Sequence, residues 1–283
     1  MNSLTDTYSL SNGLEIPVLG YGTWQVTDPN EAVEGVKAAV KAGYRHIDTA
    51  QMYKNEEFVG KGIKECGVPR EDLFVTSKLN NTNHGYEATK REVAISLEKL
   101  GLDYLDLFLI HWPVVKNNGG DWKKDNRETW RALEELYDEG KLKAIGISNF
   151  AVPHITNIME TARIKPMVNQ IRLHPGVLQK DTVELSRKHD IVVEAWSPLS
   201  PMKHLNEDEE VQKMSEAYGK SIAQILLRWS LQHGFVPLTK SVHEERIQKN
   251  AEIFDFELKK EHMNYLDSLT FEDLDKPEDF VER

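Results

Sequence analysis

Eight times along this chain a short apolar run gives way to a loop and then to a stretch that reads as helix, and that alternation leaves few folds open. The apolar runs lie at 18–22, 44–47, 73–77, 105–110, 144–147, 167–171, 191–196 and 235–238. Helical patterns follow from Asp28-Pro29 to Gly43, then near 56–65, 87–100, 127–139, 153–161, 181–189 and 222–233, with a further one near 259–268. In the first of these, Ala32, Val33, Val36, Ala39 and Val40 recur at helical spacing behind an Asp cap followed by proline. An open doubly wound sheet would alternate in the same way, but its first crossover usually carries a Gly-rich phosphate loop. Here the first strand runs into Gly22-Thr23-Trp24-Gln25, which has no such pattern. The pattern therefore predicts a closed (β/α)8 barrel, the TIM-barrel architecture, formed as one domain over residues 1–283. Ahead of it, Asn12-Gly13 between two short apolar stretches predicts a β-hairpin that caps one end. Two irregular loops are expected, at 113–126 and 197–206, with Trp122 in the first able to close over a site or to anchor at the surface.

Composition narrows what such a barrel can do. Hydrophobic residues make up 40% of the chain and charged residues 29%, enough for a large core under a charged surface. The net charge is −11, which argues against nucleic acid or an anionic membrane as partner while leaving room for a local basic pocket. Cys66 is the only cysteine, so no internal disulfide is possible, as expected in a reducing cytoplasm. The N-terminus shows neither the basic region nor the apolar run of a secretory signal, and no stretch is long and apolar enough to span a membrane. A cytoplasmic location is the expectation.

Four ionisable residues stand just past consecutive strand runs: Asp48 with Tyr53 close behind, Lys78 and His111. In a parallel barrel these side chains emerge at one end, where the loops build active sites. Taken singly, each has an ordinary explanation: a capping carboxylate, a packing tyrosine, a solvated lysine, a core histidine. Together they suit proton transfer. A lysine leaving an apolar strand needs a counter-charge, and Asp48 supplies one. The ammonium would favour the phenolate of Tyr53 and so lower its pKa, and His111 would orient a carbonyl oxygen. None of these groups carries electrons, so a hydride donor has to bind alongside.

These stretches carry a resemblance. The runs Gly43-Tyr44-Arg45-His46-Ile47-Asp48-Thr49-Ala50 with Tyr53, Ser77-Lys78-Leu79, Leu109-Ile110-His111-Trp112-Pro113, Gly146-Ile147-Ser148-Asn149-Phe150, Asn169-Gln170, Trp196-Ser197-Pro198-Leu199 and Lys240-Ser241-Val242 occur in order. The chain thereby resembles the aldo-keto reductase superfamily, of bacterial type, over essentially its whole length. The resemblance implies NADPH-dependent reduction of aldehydes or ketones to alcohols, with 2-oxoaldehydes, diketo sugar acids and aromatic aldehydes as candidate substrates. It implies Tyr53 as proton donor, Asp48 and Lys78 as its tuning pair, and His111 as carbonyl orienter.

It also implies the cofactor contacts. Ser148, Asn149 and Gln170 would hold the nicotinamide carboxamide, and Trp196 would stack on the ring where many relatives have tyrosine. Lys240, Ser241 and Arg246 would clamp the 2′-phosphate, and Asn250 would touch the adenine. Gly22, Thr23, Trp24, Ser197, Leu199 and Val242 complete the set. Thr239 and Lys249 depart from the proline and glutamate common in relatives. Trp24, His111 and Trp112, with Met52, would line the substrate pocket. The short charged tail at 273–283 implies an open site, and no metal is implied. Relatives of this length are commonly monomers. Two rival readings share the fold: a cofactor-binding regulatory or accessory module with little turnover, and a metal-dependent hydrolase. The second would need three or more His or carboxylate ligands at strand ends.

Overall fold

A computed structural model describes residues 1–114 and 121–271. Eight parallel strands close into a barrel: β3 (Gly20–Gly22), β4 (His46–Asp48), β5 (Phe74–Leu79), β6 (Leu107–Ile110), β7 (Ile145–Ser148), β8 (Val168–Arg172), β9 (Val192–Trp196) and β10 (Val236–Thr239). The last strand pairs with the first, Leu238 against Gly20, so no sheet edge remains open in the barrel. Helices cover the outside. The first, Pro29–Lys41, begins where expected, because the Asp28 carboxylate accepts from the backbone N–H groups of Asn30 and Glu31 and Pro29 has no N–H to leave unpaired.

The hairpin is formed by β1 (Thr7–Ser9) and β2 (Glu15–Pro17), with Tyr8 opposite Ile16. Gly13 takes the positive φ of 85° that the turn demands. Leu10 and Ile16 bury against Phe74, Leu107, Met167 and Val168, which plugs the end of the barrel away from the strand C-termini. One interior glycine is fixed by its neighbours. A Cβ on Gly20 would lie 2.4 Å from Leu238 and 2.8 Å from the ring of His46.

Three helical segments differ from expectation. The helix assigned to 127–139 is Trp122–Asp138, so the loop before it ends at Asp121, which caps it through Lys123 N–H at 3.0 Å. Its first turn is polar and has no apolar period, which hid it. Trp122 consequently lies on a helix and packs edge-on against His154, ring centres 4.9 Å apart, and it does not line the cavity at the C-terminal end of the barrel. The loop expected at 197–206 contains the short helix Met202–Leu205, and a longer helix, Glu209–Tyr218, follows it. The latter is capped by Asp208 and ended by Gly219 at φ 62°, but buries little beyond Val211 and Met214, so its apolar signal is weak. After β10, Lys240 and Ser241 lie in a short connection, and Arg246 on the helix Glu244–Ala251 that follows. Part of the first expected loop, 115–120, and the tail at 273–283 lie outside the described residues.

Candidate active site

Strand register brings the chemistry together. Gly22, Asp48 and Thr76 lie side by side across β3, β4 and β5, and Ser148, Gln170 and Glu194 across β7, β8 and β9. Gly22, Asp48 and Ser148 end their strands, and above this end of the barrel opens a cavity of about 580 Å³. Tyr53 reaches it from the single turn Gln51–Tyr53, which Lys54 ends in the left-handed region at φ 57°.

Lys78 is fully buried just beneath the cavity. Its ammonium donates to Asp48 Oδ1 at 2.6 Å, to the Thr49 carbonyl at 3.0 Å and to the Tyr53 hydroxyl at 3.3 Å. All three donor hydrogens are thereby accounted for. Burial alone would push the Lys78 pKa down, but the charge of Asp48 and the contact with Tyr53 more than offset it and hold the group above its ordinary value. The other Asp48 oxygen, Oδ2, accepts from Gln170 Nε2 at 2.9 Å.

The tyrosine departs from the expectation that its neighbour would make it more acidic. Burial is the largest influence and raises its pKa, and the charge of Asp48 adds to it. Lys78 pulls the other way without reversing the direction. The phenol therefore stays protonated, with an ammonium in place to receive the phenolate once the proton leaves. His111 stands edge-on to the Tyr53 ring, centroids 5.7 Å apart. Burial, aided by Lys78, holds its pKa well below the usual value, so the imidazole is neutral. Its Nδ1 is buried without a partner, which leaves Nε2 as the nitrogen facing the cavity.

Of the residues expected to hold a cofactor, Gly22, Trp24, Ser148, Asn149, Gln170, Trp196, Ser197, Leu199 and Lys240 line this cavity. So do Met52 and Trp112, which with Trp24 give one wall its apolar surface. Trp24 is 51% exposed and marks an open mouth. The Ser148, Asn149 and Trp196 side chains form a relay. Trp196 Nε1 donates to Asn149 Oδ1 at 2.8 Å, Asn149 Nδ2 donates to the His111 carbonyl at 2.9 Å, and Ser148 Oγ donates to the Gln170 carbonyl at 2.8 Å. Asn149 and Ser197 sit at φ 62° and 51°, backbone that non-glycine residues seldom adopt and that clusters at functional sites.

Thr23, Ser241, Val242, Arg246 and Asn250 are outside the cavity lining. Thr23 is buried and its hydroxyl donates to the Asp48 carbonyl at 3.0 Å. Ser241 Oγ accepts from the His243 N–H at 3.1 Å at the start of the helix Glu244–Ala251, and Asn250 is buried on that helix. Lys240, Arg246 and Lys249 are exposed, and none has a carboxylate within ion-pair reach among the described residues. The lining suits a nicotinamide: its floor offers amide and hydroxyl groups suited to a carboxamide, a flat indole stands beside them, and the exposed Lys240 lies at its edge.

Residues beyond the expected set also belong to the site. Arg172 lines the cavity with its guanidinium 5.6 Å from the Trp196 ring centre, backed by His174, whose Nε2 accepts from Arg172 Nε at 3.2 Å. Glu194, fully buried, shares the Gln170 amide with Asp48. A glutamate inside an apolar strand was the available signal for it, the same signal that marks Lys78. No cluster of three or more metal-ligating side chains occurs among the described residues, and no helix among them is long and apolar enough to cross a membrane.

Comparison with known proteins identifies the family. Residues 18–270 match the sequence model of the Aldo/keto reductase family. A glyoxal reductase of Bacillus subtilis is 53% identical over 267 residues, covering 94% of either chain. A 9,11-endoperoxide prostaglandin H2 reductase of Trypanosoma cruzi is 43% identical over 95% of this chain and 93% of its own. Among solved structures, an aldo/keto reductase from Brucella melitensis superposes with a TM-score of 0.88 at 44% identity, covering 94% of this chain and 98% of that one. A Bombyx mori aldo-keto reductase solved in complex with NADP superposes at 0.86 with 34% identity, over 94% of this chain and 92% of that one. A closed parallel barrel with these residues at its mouth, matched by sequence and by shape across nearly its whole length, belongs to the aldo/keto reductase family of oxidoreductases.

Proposed function

We propose that the chain reduces small aldehydes and ketones to alcohols, with NADPH as hydride donor and Tyr53 as general acid. The observation that carries this reading is the Tyr53 hydroxyl 3.3 Å from a buried ammonium that is itself paired to Asp48 at 2.6 Å, at the floor of an open cavity. When bound, the reduced nicotinamide supplies the hydride taken by the carbonyl carbon. The chain supplies the rest. His111, neutral, donates from Nε2 to the carbonyl oxygen and sets its angle. Tyr53 gives its proton to the same oxygen as negative charge develops there, and Lys78 stabilises the phenolate left behind until solvent restores the proton. Asp48 keeps that ammonium charged and in place.

For the cofactor, Ser148, Asn149 and Gln170 would hold the carboxamide and Trp196 would pack on the ring. Ser197, Leu199, Gly22, Thr23 and Trp24 would border the rest, with Ser241, Val242 and Asn250 toward the adenosine. Lys240 and Arg246 would hold the 2′-phosphate, and the lack of carboxylate partners for them among the described residues supports a preference for NADPH over NADH. Replacing both with alanine is expected to raise the NADPH dissociation constant about 30- to 100-fold and the NADH constant by less than about threefold, as the loss of charge-assisted contacts to one phosphate requires. Fluorescence titration of both cofactors checks this, and equal losses would refute the clamp.

Trp24, Trp112 and Met52 would offer the substrate an apolar wall. The relative named glyoxal reductase makes small dicarbonyls the first compounds to try. Mixing the protein with NADPH and a panel of 2-oxoaldehydes, diketo sugar acids and aromatic aldehydes, read at the reduced-nicotinamide absorbance, tests the reading. No turnover across the panel would favour a cofactor-binding module. A monomer in the cytoplasm is our expectation for its state and place.

A further inference from the structure

Beneath the cavity floor lies a carboxyl that the proton transfer does not use. Glu194 is fully buried in the middle of β9, and register sets it beside Gln170 on β8. Gln170 Nε2 donates to Glu194 Oε2 at 2.8 Å and to Asp48 Oδ2 at 2.9 Å. An amide nitrogen carries two hydrogens, so both are committed to carboxyl oxygens. Turning the amide over would set its oxygen against the Asp48 carboxylate, which pairs with Lys78 and has no proton to give, so Asp48 fixes which end is which and Glu194 takes the second hydrogen. The end left for the cavity, which Gln170 lines, is Oε1, and it makes no hydrogen bond to any described residue. That oxygen can accept from an N–H of a primary carboxamide.

We propose that Glu194 is a positioning residue for the nicotinamide: with Asp48 it grips the two amide hydrogens of Gln170 and so aims Gln170 Oε1 at the carboxamide of the bound cofactor. The inference rests on the NADPH reading above and deepens it.

The surroundings of Glu194 add a pH dependence. The charged and titratable groups facing it are Asp48, Lys78 and His46, whose Nε2 is 3.6 Å from Glu194 Oε1. Its neighbour by register on β10, Val236, is apolar. Burial first, then the charge of Asp48, push the Glu194 pKa up to about 8, with Gln170 and Lys78 only partly offsetting them. Burial holds His46 down at about 3, so that ring is neutral. Near neutrality Glu194 keeps its proton and accepts from Gln170 through its carbonyl oxygen. Above about 8 it becomes a carboxylate, a stronger acceptor, and it also adds negative charge beneath the cavity floor, where the cationic ring of oxidised nicotinamide would be held. Affinity for NADP+ then rises with pH across that range.

The test uses two ligands, NADP+ and 2′,5′-ADP, which shares the phosphates but has no nicotinamide, titrated by calorimetry. Glu194→Leu is expected to raise the NADP+ dissociation constant about tenfold at pH 7 and to leave 2′,5′-ADP binding unchanged. In a Gln170→Ala background the same substitution should change NADP+ binding by less than about twofold, because the group it acts through is gone. Glu194→Gln keeps a carbonyl acceptor. It should restore NADP+ affinity at pH 7 and abolish the rise between pH 7 and 9 that the wild type shows. Equal weakening of both ligands, an additive effect with Gln170→Ala, or a pH rise that survives in Glu194→Gln would overturn the proposal. Should the leucine variant not fold, the pH comparison between wild type and Glu194→Gln decides alone. A wild type that binds both ligands with Glu194 indifferent refutes this inference only, whereas a wild type that binds neither ligand refutes the NADPH reading and this inference with it.

Discussion

Replacing Tyr53 with phenylalanine is expected to lower turnover about 1000-fold while leaving the dissociation constant for NADP+ within about twofold of wild type. The substitution removes one oxygen. The ring keeps its edge-on contact with His111, and Lys78 keeps its bonds to Asp48 at 2.6 Å and to the Thr49 carbonyl at 3.0 Å, so the cavity floor stays assembled. What disappears is the hydroxyl that Lys78 contacts and the proton it carries. A loss confined to the chemical step should also appear as an enlarged kinetic isotope effect with deuterated NADPH. Wild-type turnover in the variant would rule out Tyr53 as the acid, and weakened cofactor binding of equal size would show that the hydroxyl acts in assembly instead.

The barrel was legible because most of its strand runs are rich in buried apolar residues and most covering helices keep one apolar stripe. A strand such as Leu107–Ile110, with every residue buried between a barrel interior and a helix layer, has no polar face to blur its reading. Legibility failed where burial is slight. The helix Glu209–Tyr218 buries mainly Val211 and Met214, and the first turn of Trp122–Asp138 is set by a cap and by Lys123 and Lys124 rather than by any apolar period. The placement of Asp48 and Lys78 could be read because a charge at the end of an apolar run must find a partner. Glu194 meets the same condition inside its run, yet its role depends on which strand stands beside β9 and in what register, and neither is written locally. The pKa of Tyr53 shows the limit most directly. Proximity to a lysine indicated the sign of one influence, while the depth of the site, which no neighbouring residue reports, set the direction of the sum.

Lys78→Met separates what the ion pair does for folding from what it does for the reaction. The methionine side chain would fill most of the space of the lysine stem without its charge, and Asp48, 3% exposed, would be left with its negative charge facing an apolar group. Removing one partner of a buried pair in this way costs about 3–5 kcal/mol, because the remaining charge is desolvated and uncompensated. Urea unfolding should show a loss of that size. Turnover should fall at least about 100-fold in addition, because no ammonium remains to stabilise the phenolate of Tyr53. The double variant Asp48→Asn/Lys78→Met distinguishes the two effects. With both charges gone the uncompensated carboxylate is gone too, so most of the lost stability should return, the introduced asparagine still offering its carbonyl oxygen to the amide of Gln170. Turnover should stay as low as in the single variant. The pair also sets a pH limit on the fold. Its partners hold Lys78 above its ordinary value, so the folded protein keeps this proton more tightly than the unfolded chain. The stability it confers is present in full below about 10.5 and is lost as pH climbs through the folded-state value. Wild type should therefore lose stability in strong alkali by a step that the double variant lacks. A double variant that recovers turnover together with stability would mean that Lys78 serves only to neutralise Asp48, and that the phenol gives up its proton unaided.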